Sequence, residues 1–153
     1  INYGISYKGF DISMTWAGAA KTSRMLNDVF RYPFGQTNQR SLMKYFVTDT
    51  WTQKGDAAKY PAISFVNKSN NYYDSDLWLR DASYLRLKNV EVGYSFSKKT
   101  LEKMHLGSLR VYATGYNLLT FDKLGVIDPE SKSAARATYP LVMVINFGLK
   151  VGF

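Results

Sequence analysis

Few residues in this chain have the types and spacing for covalent chemistry. Asp74, Asp76 and Asp81 could supply a carboxylate pair, which glycoside hydrolysis uses as acid and as base or nucleophile. The same oxygens would suit Ca²⁺, but no EF-hand spacing accompanies them. Their setting is rich in Asn, Ser and Asp, where turn-forming and hydrogen-bonding roles are commoner. The single histidine, His105, has no neighbouring Ser or Asp partner and reads as a surface residue. There are no cysteines, which excludes a disulfide framework and Cys-based zinc or redox sites. One histidine also excludes a multi-His metal site. The glycines are scattered, and no Walker or dinucleotide motif appears. The expectation is a non-enzymatic chain with no catalytic residue, metal or cofactor.

Binding chemistry is better represented. Aromatic residues make up 16% of the chain, with 12 Tyr and 3 Trp, which suits membrane-interface girdles and sugar-stacking surfaces equally. Trp51, Tyr60, Tyr72, Tyr73 and Trp78 fall in one long polar stretch. Aromatic faces there can stack on sugar rings or peptide side chains, or pack the stretch onto itself or onto a partner. Tyr72 and Tyr73 are the first candidates for substrate contact, followed by Trp51 and Trp78. The formal net charge is +8. It suits a solvated surface that also faces anionic headgroups. Nucleic acid is disfavoured, because the basic residues are scattered and no recognition motif accompanies them.

The elements that would position these groups are strands. In residues 141–153, Leu141, Met143, Ile145, Phe147, Leu149, Val151 and Phe153 are all apolar, and the intervening set turns polar or side-chain-free. Period two means a strand with one apolar face. A tilted strand of about 9–11 residues spans a bilayer. Residues 1–17 read as a hairpin turning at Lys8-Gly9. That register pairs Tyr7 with Phe10, Ile5 with Ile12, Tyr3 with Met14 and Ile1 with Trp16. Cross-strand partners share a face, so these large apolar residues gather on one side. Residues 82–97 form a long strand whose apolar phase flips between Leu87 and Val90, which a bulge near Lys88-Asn89 would explain. Otherwise Leu85 and Leu87 lie beyond the membrane. In residues 108–121, Leu109, Val111, Ala113 and Gly115 face one side, and Arg110, Tyr112, Thr114 and Tyr116 face the other, the lumen side.

The connections alternate short (8–9), long (18–81), short (98–107) and long (122–140). Outer-membrane barrels show this alternation, with short periplasmic turns and longer external loops. Within the long connection, residues 22–32 and 41–51 carry helical spacing, and residues 59–61 and 67–76 read as irregular loop. Residues 98–107 make a basic turn with room for one helical turn, Leu101 and Met104 folding inward. No apolar run approaches the roughly 20 residues of a membrane helix. The chain opens on Ile inside a strand, without a signal peptide, and reads as the C-terminal portion of something larger.

The block Asp81-Ala82-Ser83-Tyr84-Leu85-Arg86-Leu87-Lys88-Asn89-Val90-Glu91-Val92-Gly93-Tyr94-Ser95-Phe96 closely resembles the C-terminal region of SusC/RagA-type TonB-dependent transporters. Further matches follow in order. They are Leu109-Arg110-Val111-Tyr112 into Tyr116-Asn117-Leu118-Leu119-Thr120-Phe121, then Asp128-Pro129-Glu130, then Tyr139-Pro140 into the strand ending Phe147-Gly148-Leu149-Lys150-Val151-Gly152-Phe153. Upstream, Tyr7-Lys8-Gly9-Phe10-Asp11-Ile12-Ser13, Trp51-Thr52 and Ala58-Lys59-Tyr60-Pro61 also fit. The resemblance covers nearly the whole of residues 1–153.

What the resemblance implies is an all-β segment of about five antiparallel strands from a 22-stranded barrel, with residues 18–81 as an extracellular loop. Such transporters sit in the outer membrane of Bacteroidota and carry an N-terminal plug and a TonB box. They import oligosaccharides or peptides with energy passed through TonB, and a SusD-like lipoprotein closes over them. Phe147, Leu149, Val151 and Phe153 resemble the signal read by the barrel-assembly machinery. The implied partners are the remaining barrel and plug, the lipoprotein, TonB, that machinery and lipid. Two readings from other classes stand beside this one: a passive or adhesive outer-membrane barrel, and a soluble all-β carbohydrate-binding module.

Overall fold

The computed structural model describes residues 1–34, 41–64, 70–125, 127–131, 139 and 141–153. The rest of the stretches read as loop at 67–76 and 122–140, with Pro140, lies outside the described residues. The chain divides into two units: Ile1–Ala19, Tyr84–Phe121 and Leu141–Phe153 form the first, and Ala20–Ser83 with Asp122–Pro140 the second.

The first unit is a five-stranded antiparallel sheet. Its strands are β1 (Asn2–Tyr7), β2 (Phe10–Ala19), β5 (Tyr84–Ser95), β6 (Ser108–Asp122) and β7 (Val144–Gly152), in the order β1-β2-β5-β6-β7. Each strand neighbours the next strand of the unit in sequence, as a meander does. The hairpin register is the expected one: Tyr7 opposes Phe10, Ile5 opposes Ile12, and Tyr3 opposes Met14. Ile1 and Trp16 exchange backbone hydrogen bonds of 2.7 and 2.8 Å. Lys8 and Gly9 both take positive φ, 48° and 89°, as a tight two-residue turn matched to strand twist requires. A side chain at Gly9 would also meet the Ser95 carbonyl oxygen at 2.7 Å.

The phase flip in β5 is a bulge. Pairing with β2 runs Val92 to Ile12, Val90 to Met14 and Asn89 to Thr15, then steps to Leu87 against Trp16. Lys88 is the inserted residue, so Leu87 rejoins the face of Val90 and Val92. Across β6 and β7, Leu109, Val111, Ala113 and Gly115 oppose Val151, Leu149, Phe147 and Ile145. Every strand therefore contributes most of its large apolar residues to one face.

The basic turn after β5 is the helix α2 (Lys98–Met104), closed by His105 in the left-handed conformation. Leu101 is buried as expected, but Met104 is 49% exposed. The helix ends at Met104 itself, so no further turn covers that side chain.

The second unit corrects two expectations. Residues 22–32 do not form a helix. They make the short strand β3 (Ser23–Met25) and a single 3₁₀ turn, Asp28–Phe30. β3 pairs antiparallel with β4 (Leu79–Asp81), adding a two-stranded ribbon to the five strands expected. This non-local pairing overrides the helical spacing of Met25, Leu26, Val29 and Phe30. Leu26 and Phe30 are instead buried, and the Leu26 amide donates to the Trp78 carbonyl at 2.9 Å. The helix read over 41–51 shrinks to α1 (Lys44–Thr48).

Candidate functional site

The sheet has two chemically opposite faces. On the apolar face, Ile5, Phe10, Phe147 and Leu149 are 69%, 60%, 84% and 63% exposed. Soluble proteins rarely show contiguous apolar patches larger than a few hundred Å². Strand lengths of 10, 12 and 15 residues in β2, β5 and β6 suffice to cross a bilayer.

The polar face carries the four residues expected to look inward. Arg110, Tyr112, Thr114 and Tyr116 oppose Lys150, Gly148, Asn146 and Val144. Arg110 is the hub. Its guanidinium donates to Asp11 on β2 at 2.5 Å and to Glu91 on β5 at 2.7 Å, tying three strands together. It also lies 5.2 Å from the Tyr112 ring centroid. Glycine makes this possible. A side chain at Gly93 would run into the Arg110 guanidinium, and one at Gly148 into the Tyr112 ring. Both large groups therefore lie flat along the wall. The spacing of Arg110 to Tyr116 puts the four on one face, as the ladder to β7 does. Glu91 comes from the neighbouring strand and Asp11 from the one beyond it, far off in sequence, and only the registry reveals that the three meet.

The second unit is built around aromatics. Phe46, Tyr60, Tyr72 and Trp78 form its buried cluster. The Tyr60 and Trp78 rings lie 5.9 Å apart, and those of Tyr72 and Trp78 6.2 Å. Trp78 is 0% exposed, and its indole N–H donates to the Asn71 carbonyl at 2.7 Å. Arg80 stands over the Tyr60 ring and donates to its hydroxyl at 3.2 Å. Burial, and then the neighbouring Tyr60, push the Tyr45 phenol well above its ordinary range, while Arg80 pulls the other way. The Tyr45 hydroxyl donates to the Phe30 carbonyl at 2.5 Å.

The four candidate contact aromatics thus separate. Tyr72 and Trp78 lie in the core, while Tyr73 is 64% and Trp51 43% exposed. The carboxylates separate as well: Asp74 pairs with the buried Arg31 at 2.5 Å, and Asp81 pairs with Lys123 at 3.1 Å. Ser83, through its hydroxyl and amide, and then Lys123 hold the Asp81 carboxyl down at about 2. Asp74 and Asp81 therefore stand in structural ion pairs. His105 is exposed. Among the described residues, no three His, Cys, Asp or Glu side chains gather as a metal site would require.

The two long connections form one unit, which the sequence reading did not anticipate. The Arg24 guanidinium donates to the Ser131 carbonyl, and Lys123 pairs with Asp81. No period or motif marks either contact.

No family model matches the chain. Individual proteins do. The chain is 30% identical to the TonB-dependent receptor SusC of Bacteroides thetaiotaomicron, over 97% of its own length and 14% of that protein's. It is 25% identical to the TonB-dependent receptor P3 of Formosa agariphila, over 99% of its length and 16% of that protein's. It spans about one seventh of the length of these relatives. Among solved structures, the RagAB peptide importer in its open-open state superposes with a TM-score of 0.71 at 26% identity, over 99% of this chain and 16% of that one. The closed-closed state gives 0.73 at 24% identity, over 99% and 16%, and speaks to the fold alone. A sheet with a bilayer-length apolar face, five meandering strands and these relatives have one common explanation: the chain belongs to the SusC/RagA-type TonB-dependent transporters of the outer membrane, and is a segment of their β-barrel.

Proposed function

We propose that this segment is part of the wall and external apparatus of an active, non-enzymatic importer of oligosaccharides or peptides. In this reading residues 1–153 are the C-terminal part of the barrel, and a plug, the remaining strands, TonB and a SusD-like lipoprotein complete the machine. The polar face, with Arg110, Tyr112, Thr114 and Tyr116, lines the lumen, and Ala20–Ser83, the body of the long connection, faces outside. Phe147, Leu149, Val151 and Phe153 act as the barrel-assembly signal.

The observation that carries the reading is the two-faced sheet, with its short connections at one rim. Turns at Lys8-Gly9 and α2 join strands at that rim, while β2 ends and β5 begins at the other. Trp51 and Tyr73 are the aromatics free to stack on cargo. Tyr72 and Trp78 set the frame that holds them.

The test is uptake by cells carrying the full-length transporter and its neighbouring lipoprotein. Labelled oligosaccharides and oligopeptides are offered with and without functional TonB. Accumulation of one class that stops without TonB supports the reading. Equal entry without TonB means a passive barrel, and no entry of either class means an adhesive one. Trp51→Ala and Tyr73→Ala should each weaken uptake by about 0.5–1.5 kcal/mol of stacking, a several-fold rise in KM with kcat little changed.

A further inference from the structure

The rim where the short connections gather has a composition that the import function does not use. Along the apolar face, Tyr7, Phe10, Tyr94 and Phe96 form a continuous aromatic row. Phe10 and Tyr94 lie 4.5 Å apart, and Tyr94 and Phe96 5.0 Å edge to face. The row continues towards Phe153, since Phe96 bonds to Leu109 at the start of β6 and Gly107 bonds to Gly152 at the end of β7.

Immediately beyond the row come Lys8 in the hairpin turn and Lys98, Lys99 and Lys103 on α2, all exposed, against a single acidic residue, Glu102. The turn and the root of α2 are neighbours: the Ser95 amide donates to the Gly9 carbonyl at 2.8 Å. The Lys8 ammonium stands 5.2 Å over the Tyr7 ring. At the opposite rim the cations are dispersed: Arg86 stands opposite Ala17, and Lys21 and Lys123 follow the ends of β2 and β6.

Amphipathic rings settle at the level of lipid headgroups. Lysine stems lie along apolar surface and deliver their ammonium groups into the adjoining polar layer. The geometry points to a docking surface for the phosphodiester headgroup of an anionic glycerophospholipid. Its acyl chains lie against Phe10, Tyr94 and Phe96, and its phosphate reaches Lys8, Lys98 and Lys99. Charge complementarity selects this occupant over a zwitterionic lipid, whose ammonium group the lysines repel. This inference rests on the sheet lying in a bilayer, and not on the transport reading.

The test uses the full-length transporter in a mild neutral detergent, with bound lipid counted by native mass spectrometry. Phosphatidylglycerol, phosphatidylethanolamine and inorganic phosphate are titrated separately. Phosphatidylglycerol should be retained over phosphatidylethanolamine. The triple variant Lys8→Gln, Lys98→Gln, Lys99→Gln should lose about tenfold or more in phosphatidylglycerol affinity, because each lysine near an anionic surface contributes a several-fold preference and the factors multiply. Lys44→Gln, Lys54→Gln, Lys59→Gln removes the same charge from the second unit and should leave retention unchanged. Equal retention of the two lipids, or equal loss in both triple variants, overturns the proposal. So does displacement of the lipid by millimolar inorganic phosphate, which would mark a free-anion site.

Discussion

Arg110 and Asp11 sit on strands that never touch in the sheet order, yet their side chains meet at 2.5 Å across β5. Glu91 on the intervening strand completes the group at 2.7 Å. One cation between two carboxylates is a mutual dependence, because removing the cation leaves like charges side by side. Arg110→Met should lower the temperature at which the folded barrel loses its compact band on an SDS gel. Asp11→Asn added to Arg110→Met should recover part of that loss. No recovery would mean that the group acts by packing rather than by charge.

The two faces of β7 predict opposite responses at neighbouring positions. Leu149 opposes Val111 on the apolar face, and Asn146 opposes Thr114 on the polar face. A basic residue facing lipid near the bilayer midplane costs about 2–4 kcal/mol. Leu149→Arg should therefore sharply reduce the folded barrel recovered from membranes, while Asn146→Arg should leave it near the parental amount. Equal effects would contradict the assignment of faces.

Trp78 predicts a separable defect. It is wholly enclosed by Phe46, Tyr60 and Tyr72, and truncating a buried tryptophan costs about 3–5 kcal/mol. Trp78→Ala should open residues 20–83 to external protease while the barrel keeps its compact, heat-modifiable band. Tyr73→Ala, at an exposed ring, should leave protease resistance unchanged. Loss of the barrel band in Trp78→Ala would show that the second unit is needed for barrel assembly.

The sheet was legible in the sequence and the second unit mostly was not, for a physical reason. A strand with lipid on one side and water on the other must alternate. Tyr3, Ile5 and Tyr7 against Phe10, Ile12 and Met14 therefore dictate their own register, and even the bulge at Lys88 announces itself as a broken phase. Residues 20–83 have no such solvent boundary. Leu26 and Phe30 are spaced as in a helix, but their burial is satisfied by a ribbon to residues 79–81, far along the chain. For the same reason aromatic identity could not separate the enclosed Trp78 from the exposed Tyr73. Both lie in polar sequence, and only tertiary packing tells them apart.

Acid should loosen the second unit through Asp81. Its carboxyl is held at about 2, below its ordinary 3.8, chiefly by Ser83 and then by Lys123. A depressed carboxylate contributes stability that is present above its ordinary value and lost as pH falls through the folded one. Hydrogen exchange in residues 79–83 should therefore accelerate between about pH 4 and 2, and Asp81→Asn should show the fast exchange at all pH values with no step. A step that persists in Asp81→Asn would assign the acid sensitivity to another carboxylate.

The bulge gives the sharpest contrast between two deletions. Because β2 pairing steps from Asn89 to Leu87, removing Lys88 makes the ladder continuous and leaves every other residue of β5 on its present face. Removing Glu91 also cancels the extra residue, but at the wrong place. Asn89 would then stand among the apolar side chains, Val90 would turn to the polar face, and Arg110 would lose one of its two carboxylates. A one-residue slip exchanges faces for every residue within it. The Lys88 deletion should therefore yield folded, heat-modifiable barrel in near-parental amount, and the Glu91 deletion little or none. If both deletions fail alike, the bulge itself is required, through the added twist it gives the strand. If both succeed, the faces of β5 are not what hold this wall in the membrane.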